Sequence, residues 1–198
     1  MNLAPVTLAG RYIRLEPLTL AHHDALCAVG LEEEIWRWFP TPIHSRDDML
    51  EYICTALQWQ AEGTAVPFAT VEQSSGSVIG STRYMNIDVR NRKVEIGSTW
   101  LTPTRQRTAA NTEAKYLMLR HAFEQLGCIR VELKTDVLNQ KSRNAILRIG
   151  AKEEGTFRNH VICAGGRVRD SAWYSIIDSE WLGVKLALEK RLEWKAPD

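Results

Sequence analysis

Between Lys93 and Gly127 the hydrophobic pattern changes its period, and the rest of the chain is read around that change. Val94, Ile96 and Trp100 alternate with Glu95, Gly97 and Thr99 in the period of a strand, and Pro103 ends the run. After a basic turn, apolar residues recur at Ala110, Ala114, Leu117, Met118, Ala122, Phe123 and Leu126. This is the spacing of a largely buried helix, closed by Gly127, with Glu113, Arg120 and Glu124 on one charged stripe. Ile129, Val131, Leu133, Thr135 and Val137 then alternate with Arg130, Glu132, Lys134 and Asp136, the least ambiguous strand in the protein. A strand, a long helix and a following strand predict a right-handed crossover with the two strands parallel.

The remaining pattern fills in around this unit. Arg11–Leu18 reads as a first strand after a short tail, and Thr19 caps a helix that runs to Gly30. The aromatic-rich Glu32–Pro40 reads as a short helix entering a loop at Pro40 and Pro42. Ser45 and Asp48 form a capping-box pattern for a helix reaching about Glu62, before Gly63. Val66–Glu72 and Val78–Val89 predict two strands of an antiparallel meander, with Asn91–Lys93 leading into the strand that Pro103 ends. After a short helix, Gln140–Ile149, the runs Glu154–Ile162 and Arg169–Ile177 predict a hairpin around Ala164-Gly165-Gly166. Ser179–Trp194 reads as an amphipathic terminal helix. The expectation is one α/β (α+β) domain over 8–178, with helix and tail over 179–198. Its sheet is mixed, mostly antiparallel and seven-stranded, with the crossover at the fourth and fifth strands and helices on its flanks.

Composition narrows the class. With 198 residues, 44% hydrophobic and 25% charged, the chain can bury a full core. A formal net charge of +1 and the lack of a basic aromatic face argue against nucleic acid as a partner, and against an anionic membrane. Cys27, Cys54, Cys128 and Cys163 are scattered singly and read as buried free thiols, and the five histidines have no metal-ligand spacing, so no metal is expected. The start of the chain does not read as a signal peptide and no run approaches a membrane span, so a cytoplasmic protein is expected.

The chemistry concentrates in the turn before the central helix. A helix N-terminus carries unpaired N–H groups and the positive end of the macrodipole, so Arg105, Gln106, Arg107 and Thr108 make an anion cradle suited to phosphate. Strand, turn and helix, with the hexamer Gln106-Arg107-Thr108-Ala109-Ala110-Asn111, resemble the acyl-CoA pyrophosphate site of the GNAT N-acetyltransferases, notably the branch of the ribosomal-protein acetylases RimJ and RimL. Ala109 and Asn111 depart from the family's usual glycine and Gly/Ala; if they lie in the first helical turn, only the added methyl of Ala109 matters. A second segment, Asn139-x-x-Ser142 followed by Gly150-Ala151, resembles the family's pantetheine contact.

The resemblance implies acetyl-CoA as cosubstrate and a primary amine as acceptor: a protein N-terminus, a lysine or a small amine. Glu95 matches the family's E-I-G glutamate and is the candidate base, against a bland reading as a solvated strand residue. Backbone N–H groups near Trp100 and Leu101 would polarise the thioester carbonyl, with Ala110 completing the cofactor set. Ser142 is either the proton donor to sulfur or a helix cap, and Asn139 is a cofactor contact. Trp36, Trp38 and Phe39 stand where relatives wall the acceptor, or else pack as core. The rival function is a non-catalytic acyl-CoA-binding or regulatory protein, motivated by Ala109 and Asn111. The apolar terminal helix makes a homodimer an expectation.

Overall fold

The computed structural model describes residues 1 and 3–194; the tail expected over 195–198 lies outside the described residues. In chain order the elements are β1 (Leu8–Ala9), β2 (Ile13–Pro17), α1 (His23–Gly30), α2 (Glu33–Trp36), α3 (Arg46–Ala61), β3 (Val66–Glu72), β4 (Val78–Asp88), β5 (Lys93–Leu101), α4 (Ala109–Glu124), β6 (Arg130–Asp136), α5 (Gln140–Arg148), β7 (Lys152–Ile162), β8 (Val168–Ile177) and α6 (Asp178–Trp194). The strands form one sheet in the order β1-β2-β3-β4-β5-β6-β8-β7. All neighbours are antiparallel except β5 and β6, which the α4 crossover makes parallel as the pattern predicts.

The sheet has eight strands rather than seven. The extra one, β1, is two residues folded back on β2 through a turn in which Gly10 N–H bonds to Ile13 C=O at 2.9 Å. Two residues carry no readable period, which is why the sequence did not show it. The segment's anchor is Glu113, whose carboxylate accepts the backbone N–H groups of Arg11, Tyr12 and Ile13 at 2.7–2.8 Å. Glu113 is thus buried beneath the N-terminal segment and does not belong to a solvent stripe with Arg120 and Glu124. A Cβ on Gly10 would stand 2.4 Å from its Cδ, so a side chain there cannot coexist with this clamp.

Two apolar layers sandwich the sheet. On one face α4 packs Leu117, Met118 and Ala122 against Val94, Ile96, Val131 and Leu133, with Trp181 and Leu188 of α6 joining the cluster. On the other, Leu26, Ile35, Met49 and Ile53 from α1–α3 surround Trp36 and Trp100. The α3 start follows its sequence signature: Ser45 Oγ accepts from Asp48 N–H, and Asp48 Oδ2 from Ser45 N–H. Of the cysteines, Cys27, Cys128 and Cys163 are buried and Cys54 is exposed on α3, so the buried-thiol reading fails for Cys54. Among the described residues no His/Cys/Asp/Glu group has metal-site geometry, and no helix is long and apolar enough to cross a membrane.

Candidate active site

β5 and β6 pair through only three residues, Lys93–Glu95 against Arg130–Glu132, although both strands continue to Leu101 and Asp136. Beyond Glu95 they part, β5 staying on β4 and β6 following β8, which opens one edge of β5. A bulge sharpens the bend: between the pairs Ser81–Trp100 and Arg83–Gly97, β5 contains one residue more than β4, and Ser98 takes φ +47°. Thr102 N–H bonds to Ile79 C=O on the β4 side. Since strand amides alternate in direction, Trp100 also turns its amide to β4, while Thr99 and Leu101 turn theirs to the opened edge. Gln106 Nε2 donates to Leu101 C=O at 3.1 Å, in accord with this alternation.

At the end of that edge stands the N-terminus of α4. Thr108 is its N-cap, accepting from Ala110 N–H at 3.2 Å and donating to Arg105 C=O at 2.8 Å. Ala109 and Asn111 occupy the first helical turn, while the left-handed position falls one residue before the cap, on Arg107 at φ +62°. The two departures from the glycine pattern therefore lie where L-residues are comfortable. Arg105 is engaged by Glu72, Nε to Oε1 at 2.7 Å, which fixes the turn; the exposed Arg107 is the cation left facing outward.

A parallel pair that separates beside a capped helix N-terminus gives a long polyanionic ligand both a slot and an anchor. A family model described as the acetyltransferase (GNAT) domain matches residues 13–152. The chain belongs to the GNAT acetyltransferases. It is 36% identical over 110 residues to a Bacillus subtilis (strain 168) protein named "Putative ribosomal N-acetyltransferase YdaF", a match covering 56% of this chain and 59% of that one. The crystal structure of a GCN5-related N-acetyltransferase from Brucella melitensis superposes with TM-score 0.87 at 36% identity, covering 98% of this chain and 86% of that one. Mycobacterium smegmatis RimJ, solved in complex with CoA-disulfide, shares the fold with TM-score 0.83 at 20% identity, over 96% of both chains.

In this GNAT chain Glu95 sits where the strands part. It is 1% exposed, so the solvated-strand reading is excluded. Its Oε2 accepts from Asn86 Nδ2 at 2.7 Å and from Lys134 Nζ at 3.0 Å, an ion pair across the splay. A Cβ on Gly97 would lie 3.0 Å from Oε1, so the glycine leaves clearance over the second oxygen. Lys134 Nζ also lies 4.9 Å over the Trp173 ring, against which Phe157 stacks and His160 packs edge-on. His160 Nδ1 is 3.0 Å from Ser171 Oγ, and its pKa is lowered by burial and then by the charges of Lys134 and Arg169, against a smaller opposing pull from Glu95. This face of the sheet also holds Arg83, 2% exposed between the rings of Tyr52 (4.6 Å) and Trp59 (5.5 Å), with Nε and Nη2 lacking partners. Lys134, His160 and Arg83 were invisible as site residues in the sequence. Lys134 alone left a trace, as the polar phase of the β6 alternation.

The GNAT segment at α5 differs from expectation in one respect. The cap is Asn139, whose Oδ1 accepts Ser142 N–H at 3.0 Å, so Ser142 contributes a backbone donor and keeps its hydroxyl. The cap reading of Ser142 is therefore wrong, and Asn139 has a structural task of its own. Of the three aromatics, Trp36 is core: 2% exposed, 5.3 Å from the Trp100 ring, its Nε1 donating to Gly30 C=O at 2.7 Å. Phe39 packs edge-on against Trp36. Only Trp38 reaches the sheet's polar face, where Arg37 and Arg167 lie over its ring and its C=O accepts from Arg169 Nη1 at 3.3 Å. The Trp100 side chain is likewise core, which leaves cofactor contact on β5 to backbone groups.

Proposed function

We propose that this protein transfers the acetyl group of acetyl-CoA to a primary amine by direct attack in a ternary complex. The observation that carries this reading is the opened edge of β5 between Glu95 at its closed end and the capped N-terminus of α4 at its mouth. The backbone of 107–111 receives the pyrophosphate, with Gln106 holding the turn to Leu101 and Thr108 and Ala110 setting the first amides of the helix. Thr99 and Leu101 offer amide groups to the pantetheine arm, and Asn139 retains its Nδ2 for the same arm. Acetyl-CoA, when bound, supplies the thioester: a C–N bond forms at its carbonyl carbon as the C–S bond breaks. Glu95 takes the proton of the attacking amine, directly or through water, and Ser142 Oγ delivers one to the departing sulfur. Trp38 walls the acceptor side. The name of the YdaF relative, a ribosomal N-acetyltransferase, favours a protein amine over small amines as acceptor. A homodimer through α6 rests on Leu182 and Leu186, exposed at 69% and 58%; sedimentation with Leu182→Glu tests it.

Ala109 and Asn111 sit in ordinary helical backbone, so the added methyl of Ala109 is what remains to motivate the non-catalytic reading. Calorimetry with acetyl-CoA, followed by thiol release on a panel of peptides and amines, tests the proposal. Binding with acceptor-dependent thiol release is expected. Binding without release on any acceptor would restore the non-catalytic alternative, and absence of binding would overturn both.

A further inference from the structure

Lys115 lies two turns into α4, is 6% exposed and forms no salt bridge among the described residues. Its Nζ donates to Thr99 Oγ1 at 2.6 Å, and Thr99 Oγ1 in turn lies 2.7 Å from Thr82 Oγ1. Thr99 belongs to the part of β5 that has left β6, so the amine is bonded to the segment of the strand whose edge is open. Thr99 continues into a chain of contacts, from its Oγ1 to Thr82 of β4 and from Thr82 Oγ1 to Met118 Sδ of α4 at 3.7 Å. Of the charged residues of β4 and β5, Arg83 and Glu95 point to the opposite face, Asp88 accepts from Asn91 and Lys93 pairs with Glu132, while Glu113 is spent on the N-terminal segment. Of an ammonium's three donors, one is accounted for. A buried cation without a counter-charge is a standing cost to the fold, and burial alone pushes its pKa down to about 7.

We propose that Lys115 is a cofactor-binding residue: its ammonium donates to a polar oxygen of the acyl-pantetheine arm along β5, and binding of the polyanionic acyl-CoA brings a proton onto it. This rests on the proposed cofactor cleft. The free protein near neutral pH holds Lys115 partly as the amine. A bound anion supplies the negative potential and the acceptor that the apo site lacks, which favours the charged form. Binding and protonation are then linked, each strengthening the other.

Calorimetry of acetyl-CoA binding at pH 8 without acceptor, in buffers of different ionisation heat, counts the protons taken up. Wild type is expected to take up close to one proton per ligand, and to lose about tenfold in affinity between pH 7 and pH 8.5. Lys115→Met, similar in length, should melt higher than wild type, bind about tenfold more weakly at pH 7 and take up no proton through this group. Wild-type binding with no proton uptake overturns the inference by itself, whether or not the variant folds. Equal proton counts in wild type and Lys115→Met also overturn it, while the cleft stands. Failure of wild type to bind acetyl-CoA overturns the cleft and the inference with it.

Discussion

For the proposed role of base, Glu95 combines two features: burial at the point where β5 leaves β6, and a partner that fixes its orientation without covering both oxygens. Glu95→Gln keeps the shape and the Asn86 contact but loses basicity, so turnover should fall by about 10²–10⁴-fold with little change in acetyl-CoA affinity, measured by thiol release and calorimetry. At α5 the roles of two neighbours separate cleanly. Asn139→Ala removes the cap and should destabilise the protein by about 1 kcal/mol in urea unfolding, besides weakening CoA binding. Ser142→Ala leaves the capping N–H in place, so stability should hold while turnover drops by less than in Glu95→Gln. Glu95, Asn139 and Ser142 drew notice in the sequence because each sits in a short segment that resembles a family motif. Lys115, Lys134 and His160 did not, because their significance depends on residues 16, 39 and 11 positions away in sequence, through Thr99, Glu95 and Ser171.

Among the elements, α4 does the most. Its N-terminus anchors the turn, its inner face packs on β5 and β6, and its Glu113 pins the start of the chain. Glu113→Ala strips the acceptor from three backbone N–H groups, and each buried donor left unpaired costs about 1–3 kcal/mol. Only the Ile13 donor is fully buried, so a loss of about 1–3 kcal/mol in urea unfolding is expected, with Gly10→Ala reproducing part of it by pushing the carboxylate aside. The helix itself was legible from its period and from Gly127, which takes φ +65° just beyond its end. The destination of Glu113 was not: a carboxylate near a helix start resembles a favourable dipole contact, and nothing local reveals a strand folding over it. Strand β3 and helix α3 came out of the sequence nearly to the residue, because alternation, a capping box and a glycine stop mark them locally, whereas the bulge at Ser98 breaks the alternation of β5 and puts Trp100 on the opposite face from Val94 and Ile96.

For the whole molecule, the β6–β8–β7 half of the sheet has its own ionic tie. Arg130 on β6 reaches across to both carboxylate oxygens of Glu154 on β7, and Ser175 of β8 donates to the same group. The guanidinium contact holds the Glu154 pKa down to about 2. A carboxylate with a depressed folded-state pKa stabilises above its unfolded value near 4.3 and loses that contribution as pH falls towards 2. Urea midpoints should therefore fall more steeply between pH 4.5 and 2 in wild type than in Glu154→Gln, with the difference shrinking in high salt because the pair is partly exposed. The pairing of β6 with β8, like the parting of β5 from β6, lies beyond single-sequence reading, since it is set by register between segments 35 or more residues apart. That parting divides the sheet into two leaves joined by three residue pairs and the α4 crossover. In hydrogen-exchange terms, the amides of Thr99 and Leu101 should exchange fast in the free protein while those of Trp100 and Thr102 stay protected, a fast–slow–fast–slow ladder along one strand. A ligand seated in the gap would erase that ladder residue by residue, so its footprint can be read from exchange rates before any acceptor is known.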